Sequence, residues 1–265
     1  MGKGAMDKRQ IGQTGVSLSR LGLGTVKFGR NAGVKYPAGF ELPDDYSLTR
    51  LLSQAKDLGI NTLDTAPAYG ASEERLGVLL KGKRHEWTII GKAGEEFEKG
   101  RSHYDFTPAH FVQSLERTLK RLQTDYLDVF LIHSDGSDSR ILSDEKLIGK
   151  MQDFKKSGMV KAIGASTKTV EGGIKALDVM DVVMATYTQD HTEEKAVLDH
   201  AALNNKTVIL KKALASGHNT DINGAMDFAF SHPGVDSVIV GTINSNHLQE
   251  NAEAVERAIS SRQIS

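Results

Sequence analysis

The chain contains no cysteine, which excludes both a disulfide framework and a thiolate metal site. It also lacks an excess of either charge, since 33 lysine and arginine residues stand against 34 aspartate and glutamate residues. This balance gives no support to a nucleic-acid or membrane-surface partner. No apolar run approaches the roughly 20 residues that cross a bilayer, and no signal segment opens the chain. We therefore expect a cytoplasmic protein that binds neither nucleic acid nor membrane.

The composition that remains is typical of a globular protein with an ordinary core. Of the 265 residues, 39% are hydrophobic, and the mean hydropathy is -0.33. No shift in composition along the chain suggests a linker, so residues 7–265 are predicted to form one domain. The first six residues, MGKGAM, are interpreted as a disordered start or a remnant of cloning.

Apolar runs and helical patterns alternate along the whole chain. Eight apolar runs, nearly all followed by a helical pattern, begin near residues 21, 60, 87, 126, 160, 182, 207 and 237. Strict alternation predicts a parallel sheet with right-handed crossovers. Eight units in one domain of this length favour a closed (β/α)8 barrel, or TIM barrel, over an open sheet. A hairpin pattern around the turn Gly12–Gly15 precedes the first run, and we expect this hairpin to close the amino end of the barrel.

The segment DTAPAYGASEERLG, residues 64–77, joins one of these predicted strands to a helix. Asp64 stands where the apolar run ends, and Tyr69 follows in a loop made tight by proline and glycine. Ser72 is predicted to be the N-cap of the next helix. An ionisable pair is thus expected at the carboxyl edge of a strand, where such barrels hold their active sites. The alternative interpretation is that Asp64 caps the loop and Tyr69 packs against its neighbours.

Two further strands end in residues that suit the same chemistry. Lys92 ends the third predicted strand and His133 ends the fourth, so both are expected beside Asp64 and Tyr69. An ammonium within about 4–6 Å lowers the pKa of a phenol, and a histidine can bond to a carbonyl oxygen. The set is suited to protonate an oxygen that gains negative charge, as carbonyl reduction by hydride transfer requires.

Other polar residues have weaker claims to function. His191 and His218 lack partners at ligand spacing, so no metal site is predicted. Asp135 and Asp138 are predicted to be solvated loop charges. Tyr104, in the segment after the third strand, either walls the pocket or packs on the loop surface.

Six blocks of the sequence resemble the aldo-keto reductase family in order and spacing. They are LGLGT, DTAPAYGASEERLG, IIGKAG, YLDVFLIHS, KAIGASTKT and VIVGTINSNHLQEN, which together span nearly the whole chain. The resemblance implies reduction of small aldehydes and ketones to alcohols by hydride transfer from NADPH. It also implies the roles of four residues. Tyr69 would be the general acid and Lys92 would tune it, Asp64 would hold Lys92, and His133 would orient the carbonyl.

The same resemblance implies a set of cofactor-binding positions. They are Gly24, Thr25, Ser166, Thr167, Lys211, Gly241, Thr242, Asn244, His247, Glu250 and Asn251. Four positions depart from the family pattern, one of them Gly241, which stands where the family's last block has a lysine. Lys211 stands where an aromatic residue often stacks on the nicotinamide, Met184 where a glutamine holds its carboxamide, and His247 where an arginine often binds the 2′-phosphate of NADPH. These departures leave NADH open as an alternative cofactor.

Two other functions are compatible with these residues. The first is a Schiff-base lyase or aldolase on the same barrel, with Lys92 as the nucleophile. The second is a non-catalytic nicotinamide-binding sensor or regulatory protein, which the altered positions Met184 and Lys211 suggest.

Overall fold

The computed structural model describes residues 6–263 of the chain. The interpretation of residues 1–5 as a disordered or foreign start therefore lies outside the described residues. Met6 itself is not disordered, because this residue is only 3% exposed. Its sulfur accepts a hydrogen bond from the backbone N–H of Leu21 at 3.4 Å, so Met6 is part of the folded core.

The described residues form twelve β-strands and ten α-helices. The strands are β1 (Lys8–Gln10), β2 (Ser17–Ser19), β3 (Leu21–Gly24), β4 (Thr62–Asp64), β5 (Thr88–Ala93), β6 (Glu95–Glu98), β7 (Arg101–Tyr104), β8 (Leu127–His133), β9 (Val160–Ser166), β10 (Val182–Thr186), β11 (Thr207–Lys211) and β12 (Ser237–Val240). The helices are α1 (Val26–Gly29), α2 (Asp45–Asp57), α3 (Ser72–Leu79), α4 (Pro108–Leu122), α5 (Asp138–Ile141), α6 (Glu145–Lys156), α7 (Val170–Val179), α8 (Lys195–Leu203), α9 (Ile222–Ser231) and α10 (Ser245–Gln263). None of the helices in this described part is long and apolar enough to cross a membrane.

Eight parallel strands close into a barrel in the order β3, β4, β5, β8, β9, β10, β11, β12. The ring closes where β12 pairs with β3, with Ile239 opposite Gly22. The predicted (β/α)8 barrel is therefore confirmed. All eight strands point the same way, so their carboxyl ends meet at one rim, and polar residues at those ends are brought together.

The antiparallel hairpin of β1 and β2 supplies apolar side chains to the inside of the barrel. Ile11, Val16 and Leu18 are each at most 2% exposed. They pack in one cluster with inward-facing barrel residues such as Val129 and Ile209. This apolar packing matches the predicted role of the hairpin in closing the amino end.

Side-chain caps begin several of the surrounding helices. At α2, the Asp44 carboxylate accepts the backbone N–H of Ser47 at 2.7 Å, which satisfies one of the free donors of the first turn. At α4, Thr107 is the N-cap and Pro108 occupies the first turn. The prediction that Ser72 caps α3 is wrong, because Ala71 is the N-cap and Ser72 is the first helical residue.

Three short elements escaped the sequence analysis. They are α1, α5 and the antiparallel hairpin of β6 and β7. The hairpin follows β5 directly and lies at the rim where the site is expected. It turns at Lys99 and Gly100, both of which have positive φ values (50° and 80°). Positive φ at both central residues is typical of the tight turns that favour hairpins.

Replacing Leu18 by alanine tests the packing of the hairpin inside the barrel. The side chain is fully buried, so its removal leaves a cavity and should lower the free energy of unfolding by about 2–5 kcal/mol. The measurement is chemical denaturation of both proteins. Leu203→Ala is the matched control, because Leu203 is 87% exposed and should lose little. Equal stabilities for the two variants would show that the hairpin does not complete the core.

Candidate active site

Three polar side chains reach the carboxyl rim from adjacent strands. Asp64 is the last residue of β4, Lys92 lies near the end of β5, and His133 ends β8. Asp64 pairs with Ile90 across β4 and β5, and Lys92 pairs with Leu131 across β5 and β8. Lys92 thus lies two residues beyond the position opposite Asp64, and His133 two residues beyond the position opposite Lys92. All three line a cavity of about 800 Å³. That volume is in the usual range for ligand pockets.

Lys92 is a buried cation whose ammonium group has three oxygen acceptors. Its side chain is 1% exposed, and its ammonium forms an ion pair with a carboxylate oxygen of Asp64. It also donates to the carbonyl of Thr65 at 3.1 Å and to Oη of Tyr69 at 3.1 Å. Burial lowers the pKa of Lys92, and the charge of Asp64 opposes that shift. The ion pair therefore keeps a charged amine at the floor of the cavity.

Tyr69 is positioned by a short turn in which two glycines let the backbones approach closely. The turn Pro67–Tyr69 is followed by Gly70, whose φ is 63°. A Cβ atom on Gly70 would lie 2.2 Å from the carbonyl oxygen of Gly29, so no other residue fits here without movement. The turn places Oη of Tyr69 within 3.4 Å of Oδ2 of Asp64 as well as close to Lys92. The structure thus brings the four predicted catalytic residues together.

The expected lowering of the Tyr69 pKa is wrong. Burial raises the pKa of Tyr69 well above its ordinary value of 10.0, and the carboxylates of Asp64 and Glu95 raise it further. Burial is the main physical reason, and the carboxylate of Asp64 adds to it, so the phenol faces an ion pair rather than a lone cation. The hydroxyl of Tyr69 is therefore fully protonated at neutral pH.

His133 completes the group as a neutral ring. Its imidazole meets the Tyr69 ring edge to face, with 6.3 Å between the centroids. Burial lowers the pKa of His133 well below 6.5, and the positive charges of Lys92 and Lys211 act in the same direction. Oε2 of Glu95 lies 3.2 Å from Nδ1 of His133, so a carboxylate adjoins this ring as well.

Glu95 belongs to the hairpin that sequence analysis missed. It is the first residue of β6, and its other carboxylate oxygen accepts a hydrogen bond from the Ser102 hydroxyl at 2.6 Å. The next residue, Glu96, forms an ion pair with Arg117 of α4, which fastens the hairpin to the barrel. The residues Lys99 and Gly100 between two polar-alternating runs were the available signal for this turn. Tyr104, at the end of β7, lines the cavity. Of its two predicted roles, this matches the one at the pocket wall.

Most of the predicted cofactor positions line the same cavity. Those that do are Gly24, Ser166, Lys211, Gly241, Thr242, His247, Glu250 and Asn251. Met184 lines it too. Thr25, Thr167 and Asn244 are not among its lining residues. Thr25 instead donates its hydroxyl to the carbonyl of Asp64 at 2.9 Å, and the amide oxygen of Asn244 accepts the N–H of Asn246 at 2.8 Å.

Two buried polar atoms near this wall lack partners. The amide oxygen of Asn251 has no hydrogen-bond partner among the described residues, although the residue is only 2% exposed. The hydroxyl of Thr167 is also buried without a partner. Buried polar groups are normally satisfied, so the oxygen of Asn251, which lines the cavity, is suited to bind a polar group of a ligand such as a nicotinamide dinucleotide.

Lys211 occupies the end of β11 as a cation without an ion-pair partner among the described residues. Its amine donates to the hydroxyl of Ser166 at 2.9 Å and to the carbonyl of Thr167 at 2.6 Å. Burial lowers the pKa of Lys211 to about 8, against an ordinary value of 10.5, while the charge of Glu194 opposes the shift. Lys211 is therefore mostly charged at neutral pH and becomes neutral in mildly alkaline solution.

The prediction that Asp138 is a solvated charge is wrong. Asp138 is 1% exposed, and its carboxylate accepts the backbone N–H groups of Lys168 and Thr169, each at 2.8 Å. It thereby fixes the loop that follows β9. No three histidine, aspartate or glutamate side chains in the described part of the chain are grouped in a way that could hold a metal ion.

Comparisons with known proteins agree with this geometry. A family model described as the aldo/keto reductase family matches residues 20–226. A solved structure described as an aldo-keto reductase from Pseudomonas aeruginosa has 45% sequence identity and a TM-score of 0.89, and the match covers 98% of each chain.

Two curated relatives are more distant. The aldo-keto reductase YhdN of Bacillus subtilis is 30% identical over 219 residues, which are 80% of this chain and 63% of YhdN. The NADH-specific methylglyoxal reductase of Escherichia coli is 27% identical over 198 residues, which are 69% of this chain and 59% of that protein. This chain therefore spans less than two thirds of the length of either relative.

The pKa of Lys211 can be measured directly. As pH rises through about 8, the ammonium should lose its proton, because its buried position favours the neutral form. Heteronuclear NMR of the lysine ε-carbons should show one resonance with that midpoint. The resonance should be absent in Lys211→Arg, which identifies it. A midpoint near the ordinary lysine value of 10.5 would contradict the burial described here.

Proposed function

Because the chain belongs to the aldo/keto reductase family, we propose that it reduces the carbonyl group of small aldehydes and ketones to an alcohol, with NADPH as the hydride donor. The observation that carries this proposal is the hydrogen-bonded array of Asp64, Lys92 and Tyr69 beside His133 at the floor of one cavity. A bound nicotinamide would supply the hydride to the carbonyl carbon. The residues of the chain would supply the proton and the orientation.

In this proposal, Tyr69 is the general acid. Its Oη accepts a hydrogen bond from the amine of Lys92, and its own hydrogen, which donates to Oδ2 of Asp64 over 3.4 Å, can turn to a substrate oxygen in the cavity. The raised pKa of Tyr69 keeps the phenol protonated at neutral pH. An alkoxide that forms on the substrate is a far stronger base than a phenolate, so the proton moves downhill from Tyr69 to that oxygen.

Lys92 and His133 act on the same transfer in different ways. Once Tyr69 has given up its proton, the charged amine of Lys92, 3.1 Å away, stabilises the phenolate that is left. His133 is neutral because its pKa is depressed, so it orients the carbonyl by a hydrogen bond and does not compete as an acid. Asp64 holds Lys92 charged and in place.

The polar wall of the cavity supplies most of the residues that we propose bind the cofactor. We assign the amide end of the dinucleotide to Ser166 and Thr167, and its phosphate and adenosine end to Gly241, Thr242 and Asn251. Helix α10 begins at Ser245 next to this wall and has no acidic residue in its first turn, which suits a phosphate at its amino end. NADPH is the proposed donor. NADH is the alternative, since His247 is a weaker partner for the 2′-phosphate than arginine and one relative is named as NADH-specific. Titration with each dinucleotide decides between them.

The alternative functions are less well supported. A Schiff-base mechanism needs a neutral and accessible amine, whereas Lys92 is 1% exposed and paired with Asp64. A non-catalytic sensor has no need for a tyrosine held against a buried ion pair. The intact array therefore favours catalysis, although Met184 and Lys211 depart from the family pattern.

Replacing Tyr69 by phenylalanine tests the proposal. The variant keeps the ring but loses the acidic hydrogen, so kcat/KM for an aldehyde should fall by about 10²- to 10⁴-fold. The measurement is the loss of reduced-cofactor absorbance with a panel of aldehydes and ketones. Cofactor affinity should change little, because only the hydroxyl is removed.

Tyr126→Phe is the matched control. Tyr126 lies just before β8 at the opposite end of the barrel, where the guanidinium of Arg84 is 4.4 Å from the centre of its ring. Loss of the Tyr126 hydroxyl should leave the rate unchanged. Full turnover by Tyr69→Phe would show that another group is the acid. Tight cofactor binding without turnover of any carbonyl compound by the unmodified protein would support the sensor instead.

A further inference from the structure

The cavity concentrates positive charge, although the chain as a whole has almost no net charge. Seven lysine and arginine residues line it, against only three aspartate and glutamate residues. The whole chain has a net charge of -1. One cation, Lys92, is neutralised by Asp64. The proposed proton transfer does not require the other six cations. Clefts lined by one sign of charge attract ligands of the opposite sign.

Besides Lys92, six cations line the cavity, and we consider them as two groups: Lys27, Lys35 and Lys212, and then Arg30, Lys168 and Lys211. Lys35 and Lys212 are near each other, since the charge of Lys35 lowers the pKa of Lys212. Tyr36, next to Lys35, lies towards Gly241, where its hydroxyl would be 3.0 Å from an added Cβ atom, and its ring centre is 4.0 Å from the amine of Lys27. This first group is next to the wall assigned to the cofactor phosphates. The second group is nearer to the catalytic residues.

The second group consists of Arg30, Lys168 and Lys211. Their charges, together with that of Lys92, act on His133 and lower its pKa. In the described part of the chain, none of the three forms an ion pair. The guanidinium of Arg30 donates to the carbonyls of Ala68 and Gly33 at 2.9 Å and 2.7 Å, and the amine of Lys211 donates to the loop after β9, so both cations are held in fixed positions.

Lys168 differs from the other two because its ammonium is not committed. Its backbone is fixed by Asp138, while its side chain is exposed at the cavity. The amine lies 5.8 Å from the ring centre of Tyr104, which also lines the cavity. It makes no hydrogen bond or ion pair with any described residue. A rigidly anchored lysine with a free amine beside an aromatic wall is suited to bind an anionic group.

We propose that the preferred substrates carry a second, anionic group, a carboxylate or a phosphate, and that Lys168 binds this group while Arg30 and Lys211 add to the attractive field. This inference rests on the proposed reductase activity and names the substrate class for it. The aromatic face of Tyr104 would cover the carbon chain between the anionic group and the carbonyl. The opposite interpretation is that Lys168 is an ordinary solvated lysine, in which case substrate charge has no effect through it.

Matched pairs of aldehydes test the proposal. Succinic semialdehyde is compared with butanal, and glyceraldehyde 3-phosphate with glyceraldehyde, each with saturating cofactor. The unmodified enzyme should have a kcat/KM at least about tenfold higher for the charged member of one pair. Lys168→Met should reduce that charged-to-neutral ratio by about 10- to 100-fold, as loss of a charged hydrogen bond implies. Lys168→Arg should restore most of it, because the positive charge is kept.

Lys146→Met on α6 is the control, since Lys146 is exposed and lies outside the cavity, and its ratio should match that of the unmodified enzyme. The pair that shows the preference identifies carboxylate or phosphate as the anionic group. Equal kcat/KM values for charged and neutral aldehydes, or a ratio that Lys168→Met leaves intact, would overturn the inference while the reductase function stands. Failure to reduce any aldehyde of either kind would overturn the proposed function, and this inference with it.

Discussion

The buried ion pair between Lys92 and Asp64 is the interaction on which the rest of the site depends. A charged amine with 1% exposure is costly unless every hydrogen finds an acceptor. Here the three hydrogens reach Asp64, the Thr65 carbonyl and the Tyr69 hydroxyl. Because the last acceptor is the tyrosine oxygen, the need to satisfy a buried cation also sets the direction of the tyrosine hydroxyl. The tyrosine can therefore give its proton only to Asp64 or to a ligand.

The charges around this ion pair help to set the protonation states of Tyr69 and His133. Asp64 cancels much of the field of Lys92, which leaves Tyr69 protonated until a substrate oxygen becomes negative. Burial keeps His133 neutral, and the charges of Lys92, Lys211, Lys168 and Arg30 act in the same direction. Arg30, Lys168 and Lys211 also make the cavity attractive to anions. One arrangement of charge thus accounts for the proton donor, the neutral histidine and the proposed choice of substrate.

The positions of the barrel strands and of the four catalytic candidates could be predicted from sequence, because each strand is an apolar run that ends at a polar residue. Parallel strands bring such ends to one rim, so Asp64, Lys92 and His133 could be placed together without coordinates. The hairpin that carries Glu95 was not predicted, since its polar residues alternate without an apolar run. The burial of Asp138 also could not be predicted, because its partners Lys168 and Thr169 lie some thirty residues along the chain. Whether the pKa of Tyr69 is raised or lowered depends on the balance of burial, Lys92 and Asp64. The spacing of these residues in the sequence does not reveal that balance.

The electrostatic balance at Tyr69 is tested most directly by its own titration. NMR of tyrosine labelled at the ring carbon that bears the hydroxyl, followed against pH, reports the ionisation of each tyrosine, and Tyr69→Phe identifies the resonance. In the unmodified protein, Tyr69 should stay protonated beyond its ordinary pKa of 10.0. In Asp64→Asn its pKa should fall, because the charge of Lys92 is then uncompensated. Ionisation of Tyr69 below 10.0 in the unmodified protein, or a pKa that Asp64→Asn leaves unchanged or raises, would contradict the account.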